Sequence, residues 1–535
     1  MIRRLQNNSS KDRHYDAIVI GSGMGGLTTA SLLASVSKKR VLVLESHFKH
    51  GGFLHSFRRK KFVWDPGVHY IGEMQEGSLT RKCMDLVTGG TVGWRRINSP
   101  FERFLFPGES FDVPDGAKEY QQSLIARFPA EEKNIRRYFK DVKAVQNWTH
   151  RNFFSKQFSE RIGSVISIGK KLAYTNTQSY IENRFQDPLL RAIATAQWPD
   201  YGTPPSHSAF GVHAAVAADF LNGGFYPIGG SQVIADGAVN VIESHGGKCL
   251  VNHPVEEILI KDNQAYGVRA DRKGKSETFF APIVISNAGA RSTFTKLVPA
   301  EFGQPEREKL INVKNGTSAV ILFLGLNDDP RKHGFEECNY WMYDGYNYDE
   351  LLSNAQSQPP IVDGGFLSFG SLRNPGQEPH TAQIVCFSRE SEWQEFASKP
   401  WLKRGTEYEQ QKEERAEGMI EFFAQRYPKL RGLIEYQELS SPLTIKSFTG
   451  HHGGAIYGQE CDVNRLSRDQ WRIGTSVKNL YLTGSDVGLP GVNGALMAGV
   501  MAAGKLLGWL GMPRIMKKVF TQTAAKETTA EQTQR

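Results

Sequence analysis

The chain has 535 residues, of which 39% are hydrophobic, 11% aromatic and 23% charged, with a formal net charge of +9 at pH 7. This is a globular composition that excludes wholesale disorder, and no apolar run reaches the roughly 18 to 20 residues of a transmembrane helix. Five dispersed cysteines argue against a disulfide framework and a zinc site, so no metal is expected.

Residues 1–14 are polar and basic and lack the apolar core of a secretory signal. We expect them to form a disordered leader. The cysteine pattern favours a reducing compartment, and we expect a location on the cytoplasmic side. The basic balance suits an anionic membrane surface or an acidic partner, and the absence of any recognisable nucleic-acid-binding motif argues against nucleic acid.

The first motif is a strand–turn–helix–strand unit. Residues 15–20 form an apolar, β-branched run of the buried-strand type, and Gly21-Ser-Gly-Met-Gly-Gly26 follows at once. Residues 27–36 are small and apolar and predict a helix, and residues 40–44 predict a second buried strand that ends at Glu45. This order of elements is typical of a dinucleotide-binding loop.

Each part of this loop has a physical role. Gly21 permits a tight turn, Gly23 allows the backbone to approach a pyrophosphate, and Gly26 allows close packing of helix on strand. The helix N-terminus offers free N–H groups and partial positive charge to phosphates. Glu45, 24 residues after Gly21, is suited to accept hydrogen bonds from ribose hydroxyls.

The next residues distinguish between the cofactors that use such a loop. Gly51 and Gly52 follow Glu45 after five intervening residues. This spacing resembles the second half of a signature shared by flavoproteins of the amine oxidase and carotenoid desaturase type. The resemblance implies that the glycine pair brings backbone close to an FAD, which NAD dehydrogenases do not require.

A second glycine cluster spans residues 223–230 and precedes a predicted helix at 233–245 and strands at 248–252, 255–260, 265–270 and 279–286. A helix and several strands therefore return to the dinucleotide domain. In flavoproteins of the same type, the residue matching Val255 places its backbone against adenine, and the turn that contains Asn287 lies near the FAD.

A third cluster covers residues 484–499, where a strand ends at Thr483 and a helix is predicted from about Asn493 to Leu510. Asp486 is placed to accept a hydrogen bond from a ribityl hydroxyl. The turn from Val492 to Ala495 would direct a helix N-terminus at the flavin pyrimidine, where reduction develops negative charge.

Four stretches carry a wider resemblance: residues 65–72, 200–206, 224–231 and 482–486. Over most of residues 15–510 the chain resembles the phytoene desaturase, carotenoid isomerase and retinol saturase family of FAD-dependent oxidoreductases, and most closely its saturase branch. The resemblance implies an FAD enzyme that reduces a carbon–carbon double bond of a long apolar polyene, a retinoid or carotenoid, through hydride transfer at flavin N5. Isomerisation, phytoene-type desaturation and a non-enzymatic flavin-binding membrane protein remain alternatives.

The predicted fold class is α/β, with a discontinuous Rossmann-like FAD-binding domain and an α+β substrate domain, as in amine oxidases and phytoene desaturases. We assign residues 15–80, 223–294 and 466–512 to the first, 81–222 and 295–465 to the second, and 513–535 to a tail. The residues expected to bind FAD are Gly21, Ser22, Gly23, Met24, Gly25, Gly26, Glu45, Ser46, Gly51, Gly52, Val255, Asn287, Gly484, Asp486, Val492, Asn493 and Ala495.

Proton donors are harder to find, because a hydrocarbon substrate offers no polar handle. His69 and Tyr70 are candidates, since they follow the glycines near the cofactor, although they could equally be packing residues. His451 and His452 are weaker candidates, because adjacent residues of a strand face opposite ways. Only one dinucleotide fingerprint is visible, so electrons would come from a transient NAD(P)H or an unidentified protein carrier.

An apolar substrate is expected to enter from a bilayer. Residues 151–174 and 505–520 both mix basic residues with apolar and aromatic ones, which suits a helix lying on an anionic interface. The simpler interpretation is that both are amphipathic helices packed on the core. We expect peripheral association with a membrane that contains anionic lipid.

Overall fold

The structure is a computed structural model that describes residues 13–155, 168–355, 357, 360–467 and 471–521. Its strands, in chain order, are β1 (Ala17–Ile20), β2 (Val41–Leu44), β3 (Phe57–Arg59), β4 (Phe62–Trp64), β5 (Trp94–Arg96), β6 (Glu102–Phe106), β7 (Glu109–Val113), β8 (Phe225–Pro227), β9 (Lys248–Leu250), β10 (Val255–Lys261), β11 (Gln264–Arg272), β12 (Lys275–Phe280), β13 (Val284–Ser286), β14 (Ser318–Leu326), β15 (Asn339–Tyr343), β16 (Gly364–Ser368), β17 (Thr381–Ser388), β18 (Ile434–Ser440) and β19 (Leu480–Leu482).

The α-helices are α1 (Met24–Ser37), α2 (Leu79–Val87), α3 (Ala117–Arg127), α4 (Glu132–Ser155), α5 (Ile168–Ala173), α6 (Thr177–Arg184), α7 (Pro188–Thr195), α8 (Phe210–Phe220), α9 (Gln232–Ser244), α10 (Ala290–Ser292), α11 (Gln304–Leu310), α12 (Tyr348–Asn354), α13 (Gly370–Arg373), α14 (Thr406–Arg426), α15 (Lys429–Leu433), α16 (Pro442–Thr449), α17 (Val463–Ser467), α18 (Gly491–Leu506) and α19 (511–521). Short 3₁₀ turns include Trp198–Asp200 and His452–Gly454, and Thr293–Leu297 is a π-helical segment.

A five-stranded parallel sheet joins distant parts of the chain in the order β19-β13-β1-β2-β9. Its three inner strands β13, β1 and β2 are short, apolar and buried, as strands covered on both faces must be. Helix α1 packs on this sheet, and helix α18 packs closely against α1 through small residues: a Cβ added at Gly499 would lie 2.5 Å from Cβ of Thr28. The beginning, middle and end of the chain therefore share one sheet.

A seven-stranded mixed sheet has the order β18-β14-β17-β16-β15-β6-β7. Strand β14, which lies between β18 and β17, is buried along all nine residues. The pairing of β6 with β15 is parallel, whereas the other pairings are antiparallel. Helices α3 to α8 cover one part of this sheet in a large aromatic core. The predicted α/β class is correct, with parallel and mixed sheets side by side.

Three boundary predictions need correction. Residues 13 and 14 are not free leader, because His14 bridges to Phe280, whereas residues 1–12 lie outside the described residues. Residues 279–286 are not one strand, because β12 ends at Phe280 and β13 begins at Val284. The predicted tail begins with helix α19, and Ile515 and Val519 are buried against the parallel-sheet core.

Candidate active site

The carboxyl ends of four parallel strands meet at one edge of the sheet. Ile20 pairs with Leu44 on one side and Ser286 on the other, and Ser286 pairs with Leu482. The next residues along the chain, which begin at Gly21, Glu45, Asn287 and Thr483, therefore emerge side by side. In open parallel sheets this edge is where ligands bind.

The glycines of the first turn are required by close contacts. Gly21 has a φ of +90°, which favours glycine. A Cβ added at Gly26 would lie 2.2 Å from the carbonyl oxygen of Gly21, and one added at Gly25 would lie 2.5 Å from Cα of Gly484. Gly26 thus brings helix against strand, as predicted, while Gly25 permits contact between the first and last segments of the site.

Two helix N-termini face this edge. Helix α1 begins after Gly23 and helix α18 after Pro490, and in the described part of the chain neither has a side-chain cap or an acidic residue in its first turn. Their first N–H groups have no partner within the helix. Both ends consequently present donors and partial positive charge to an anionic ligand.

Glu45 ties the first turn to the second glycine pair. One of its carboxylate oxygens accepts from the backbone N–H of Ser22 at 2.8 Å and from the Ser22 hydroxyl at 2.6 Å. The Ser22 hydroxyl in turn accepts from the N–H of Gly51 at 2.9 Å. The other oxygen of Glu45 accepts from the N–H of His47 at 2.9 Å. The carboxylate is therefore fixed at the end of β2.

The middle segment lies between the other two. The Asn287 amide lies against both glycine turns: an added Cβ would be 3.0 Å from its Nδ2 at Gly23 and 2.4 Å from its Oδ1 at Gly484. Asp486 accepts from the N–H of Ala290 at 2.7 Å. These contacts hold the three segments together and leave the second carboxylate oxygen of Asp486 without a hydrogen bond to the described residues.

A cavity of about 470 Å³ opens over this edge, within the size range of small-molecule sites. The predicted residues that line it are Gly21, Gly23, Met24, Gly25, Glu45, Ser46, Gly51, Gly52, His69, Val255, Asn287, Gly484, Asp486, Val492 and Ala495. Four other predicted residues stand behind the lining surface: Ser22, Gly26, Tyr70 and Asn493.

The side chain of Asn493 is turned away from the cavity, so a contact of this residue with FAD through its backbone stays a prediction. Helix α18 begins at Gly491, two residues earlier than predicted, so Asn493 lies within the first turn rather than at the cap. Its amide Nδ2 donates to the Gly72 carbonyl and to the Asp219 carboxylate, each at 3.0 Å. The side chain therefore fastens α18 to the neighbouring loop.

The cavity continues away from the glycines onto the mixed sheet. The lining there is aromatic and aliphatic and comes mainly from β14 to β17 and the loop before α17: Ala319, Ile321, Trp341, Tyr343, Phe366, Val385, Phe387, Ile456 and Tyr457. Asp200 is the acidic side chain of this wall in the described part of the chain. This end suits an apolar ligand.

The predicted proton donors occupy different positions. His69 lines the cavity with its ring edge-on to Phe366, with centroids 4.8 Å apart. Burial lowers the pKa of His69 to about 3, and the Arg373 guanidinium adds to this shift. The imidazole is therefore neutral near pH 7. Tyr70 stands behind the wall, between two carboxyl groups.

His451 and His452 both line the cavity, contrary to the argument from strand alternation. The segment is a 3₁₀ turn rather than a strand, so adjacent side chains need not face opposite ways. His451 Nδ1 is 2.8 Å from the Ala455 carbonyl oxygen, and His452 Nδ1 is 2.6 Å from Asn315 Nδ2. Burial lowers the pKa of His452.

A pair of carboxyl groups that the sequence did not predict lies at the apolar wall, with Asp200 in its surface and Glu102 behind it. The Tyr70 hydroxyl oxygen lies 2.6 Å from Glu102 Oε1 and 2.6 Å from Asp200 Oδ2. Burial raises the pKa of both carboxyl groups well above their usual range. Asp200 begins one of the stretches used for the resemblance, but the only local signal of its burial is an acid between Trp198 and Tyr201.

The sheet edge, the glycine turns and the paired helix N-termini define an α/β protein with a ligand site at the carboxyl edge of a parallel sheet. The model of the family described as flavin-containing amine oxidoreductases matches residues 24–507, and the chain belongs to that family.

Curated relatives match along almost the whole chain. The chain is 32% identical over 525 residues to the all-trans-retinol 13,14-reductase of Rattus norvegicus. The alignment covers 92% of this chain and 85% of that relative. The Homo sapiens protein of the same name gives the same identity and coverage. Prolycopene isomerase 1, chloroplastic, of an Oncidium hybrid cultivar is 28% identical over 529 residues, with 94% and 85% covered.

Solved structures agree in fold. Putrescine oxidase bound to putrescine superposes with a TM-score of 0.61 at 15% identity, covering 92% of this chain and 99% of that one. An oxidoreductase from Methanosarcina mazei gives 0.59 at 15% identity, covering 90% and 98%. These identities establish an amine-oxidase-like fold alone.

The residues present fit a flavin nucleotide. Backbone N–H groups of two uncapped helices face the cavity, and the close approach at Gly25 leaves no space for a Cβ. Carboxylates at Glu45 and Asp486 supply hydrogen-bond acceptors at two places along its wall. This donor set suits a ligand with phosphates in the middle and hydroxyl groups on both sides.

Proposed function

We propose that this protein is an FAD-dependent oxidoreductase that reduces a carbon–carbon double bond of a long apolar polyene of the retinoid class. The observation that carries this proposal is the single cavity that runs from the glycine turns to the aromatic wall of the mixed sheet. The relatives named all-trans-retinol 13,14-reductase support the same class of substrate.

Chemistry and binding are divided between the two ends of the cavity. When bound and reduced, the flavin would supply a hydride, which carries two electrons. The chain would hold the phosphates at the N-terminus of α1, the flavin pyrimidine at the N-terminus of α18 and the ribose near Glu45. The wall formed by Trp341, Phe366 and Phe387 would bind the polyene by apolar contact and exclude water from the reacting carbons.

The test is a single turnover. The holoenzyme is reduced anaerobically with dithionite, freed of excess reagent, and mixed separately with all-trans-retinol, a carotenoid and an unsaturated fatty acid, whereas oxidised holoenzyme is mixed with putrescine. Return of the oxidised flavin absorbance with retinol, together with a product heavier by two hydrogen atoms, is the expected result. Bleaching of the oxidised flavin by putrescine, or no reoxidation by any of the three unsaturated compounds, would contradict the proposal, and an isomerised product of unchanged mass with the flavin still reduced would show an isomerase.

Continuous reduction requires an external electron donor, and we propose either a transient NAD(P)H or a protein carrier. One glycine-rich dinucleotide turn is recognisable in the sequence, and the proposed flavin occupies it. The sequence therefore predicts no second, permanent site for a nicotinamide, which supports a transient donor. Anaerobic addition of NADPH or NADH should bleach the flavin if a nicotinamide serves directly. An unchanged spectrum with both would leave the protein carrier as the donor.

We propose, further, that the protein binds peripherally to anionic membranes, as an apolar substrate requires. No helix of the described residues is long and apolar enough to cross a bilayer. Residues 156–167 of the first predicted segment lie outside the described residues. In the second predicted segment, residues 505–520, Met512 and Ile515 are buried. The face that carries them therefore packs on the core, as the simpler interpretation of an amphipathic helix expects.

Three apolar side chains near the end of the described chain support contact with lipid. Trp509, Leu510 and Phe520 are 81%, 50% and 53% exposed, and exposed Arg514 and Lys517 lie nearby in sequence. The protein should sediment with vesicles containing phosphatidylserine at low salt, and Leu510→Ser together with Phe520→Ser should reduce this. Equal binding to neutral vesicles, or no effect of the double variant, would contradict the proposal.

A further inference from the structure

Saturating a double bond takes a hydride and a proton, and the geometry of the apolar wall contains a source for the second. Asp200, Tyr70 and Glu102 form a chain of contacts that runs from the cavity into the core. Asp200 lines the cavity, whereas Glu102 is fully buried. Tyr70 lies between them and 2.6 Å from each.

Counting hydrogens shows that this chain holds an extra proton. A tyrosine hydroxyl has one hydrogen and can donate it to only one of the two carboxyl groups. If both carboxyl groups were ionised, the single hydrogen of the tyrosine hydroxyl could bridge only one of the two 2.6 Å contacts. The hydrogen of the second contact must therefore come from the other carboxyl group. One of the two carboxyl groups is therefore a neutral acid.

The neighbouring donors indicate which group carries it. Glu102 also accepts from the indole N–H of Trp341 at 2.9 Å and from the Gln197 amide at 2.6 Å. Hydrogen bonds of this kind stabilise a carboxylate. The carboxyl group of Asp200 has Tyr70 as its single hydrogen-bond partner among the described residues. The negative charge therefore belongs on Glu102 and the proton on Asp200, at the cavity surface.

The other groups that face Asp200 preserve this state. Tyr343 and Tyr457 line the same wall, and Tyr201 follows Asp200 directly. Tyr201 and Tyr343 are buried and Tyr457 is partly buried, and removal from water raises the pKa of each, so they stay neutral phenols. The partners of the two carboxyl groups are a phenol, an indole and an amide, none of which carries a positive charge that would release the proton.

We propose that Asp200 is the general acid of the reaction, and that Tyr70 and Glu102 are positioning residues that keep it protonated. The inference rests on the proposed function. A hydride from the reduced flavin, which carries both electrons of the reduction, would form a new C–H bond at one carbon of the double bond. The π electron pair then takes the proton of Asp200 at the other carbon, which completes the single bond.

The step balances with one proton from water. After transfer, Asp200 and Glu102 are both carboxylates with one tyrosine hydrogen between them, in a buried site. Their repulsion favours uptake of a proton before the next turnover. The two electrons that leave the flavin are replaced by the external reductant, which is dithionite in the experiment below.

The experiment compares Asp200→Asn with the wild-type holoenzyme and with Asp363→Asn. Asp363 is also buried with a raised pKa, but it bonds Asn354 and lies off the cavity lining, so it controls for loss of a buried acid. Reoxidation of dithionite-reduced flavin by all-trans-retinol should slow about 100-fold or more in Asp200→Asn. Flavin content and reduction by dithionite should be unchanged, and Asp363→Asn should behave as wild type.

A second readout is independent of turnover. The infrared difference spectrum between the oxidised wild-type and Asp200→Asn holoenzymes should contain the C=O stretch of a protonated carboxyl group, and the corresponding spectrum between wild type and Asp363→Asn serves as the control for another buried acid. Glu102→Gln removes the charge that holds the proton, so it should lower the pH at which both that band and the reoxidation rate are lost.

The outcomes separate the two proposals. If wild-type flavin is not reoxidised by any polyene, the proposed function fails, while the infrared band still tests the protonated carboxyl group. If Asp200→Asn reoxidises at the wild-type rate, or if the difference spectrum between wild type and Asp200→Asn lacks the band, the inference is overturned. A Glu102→Gln pH profile identical to wild type would remove Glu102 from the mechanism.

Discussion

The two ends of the cavity are lined by different parts of the chain: backbone at one end and side chains at the other. At the sheet edge, the ligand-facing surface is largely backbone: glycine turns, two helix N-termini and two fixed carboxylates. At the mixed sheet, the surface consists of side chains from four strands, with one buried acid among them. Backbone that must lie close to a ligand tolerates almost no change, whereas a wall of side chains can be altered one contact at a time.

The strongest test of this difference is Gly25→Ala. The new Cβ would stand 2.5 Å from Cα and 2.7 Å from N of Gly484, and neither backbone atom can move aside cheaply. Overpacking of this kind costs about 1–3 kcal/mol or more, equivalent to about 5- to 150-fold weaker flavin binding. The flavin-to-protein absorbance ratio after purification measures it.

Gly432→Ala is the matched control. An added Cβ there meets nothing within 4 Å, and the residue lies in helix α15. Its flavin content should equal wild type. Full flavin content in Gly25→Ala would show that the contact between the first and last segments does not form part of the cofactor site.

At the other end, removing an acid should stabilise the protein in a pH-dependent way. Burial raises the pKa of Asp200 from 3.8 to about 7. Its contribution to stability is therefore full below about pH 4, and it is lost as the pH rises through the folded-state value, because the unfolded chain ionises first. At about pH 8 the wild type should be less stable than Asp200→Asn by at least about 1.4 kcal/mol, the equivalent of one pKa unit.

Thermal unfolding at about pH 8 and pH 4 checks this result. The melting temperature of Asp200→Asn should exceed that of wild type at the higher pH, and the gain should shrink at the lower pH. A variant that is equally destabilised at both pH values would indicate that Asp200 is an ordinary ionised carboxylate with favourable contacts.

The sequence predicted one end of the cavity far better than the other, for a physical reason. The turn at 21–26, Glu45 and the glycine pair at 51–52 lie within about thirty residues, and each role is set by local backbone geometry. The wall has no such signature. Glu102 and Trp341 come together because β6 pairs with β15, and Asp200 reaches them on a 3₁₀ turn from a third region.

The same reasoning explains why the direction of the Asn493 side chain could not be predicted from the sequence. Its sequence neighbourhood correctly indicated a helix start, but helix boundaries vary by a residue or two in any sequence-based assignment. That shift decides whether the side chain caps the helix or bonds Gly72 and Asp219. Positions set by backbone turns survive such a shift, whereas the direction of one side chain does not.

A smaller effect at the sheet edge is expected from Ser22→Ala. The buried hydroxyl donates to Glu45 and accepts from Gly51, so its loss removes two hydrogen bonds worth about 1 kcal/mol each. Flavin affinity should fall about 5- to 30-fold, measured by titrating apoprotein with FAD. Ser37→Ala, which removes a hydroxyl bonded to a carbonyl of its own helix, should leave the affinity unchanged. Equal losses in both variants would contradict a specific role for Ser22.

The smallest effect is expected from His69→Gln, although His69 lines the cavity. Burial lowers the pKa of its imidazole to about 3. The ring is therefore neutral from about pH 5 to 8, and there is no imidazolium to act as an acid. Loss of its edge-on contact with Phe366 is worth about 0.5–1.5 kcal/mol, so the KM for retinol should rise about 2- to 13-fold. The pH dependence of flavin reoxidation should stay that of wild type, because Asp200 sets it. A displaced pH profile in His69→Gln would instead indicate that the histidine is the proton donor, as the sequence analysis had suggested.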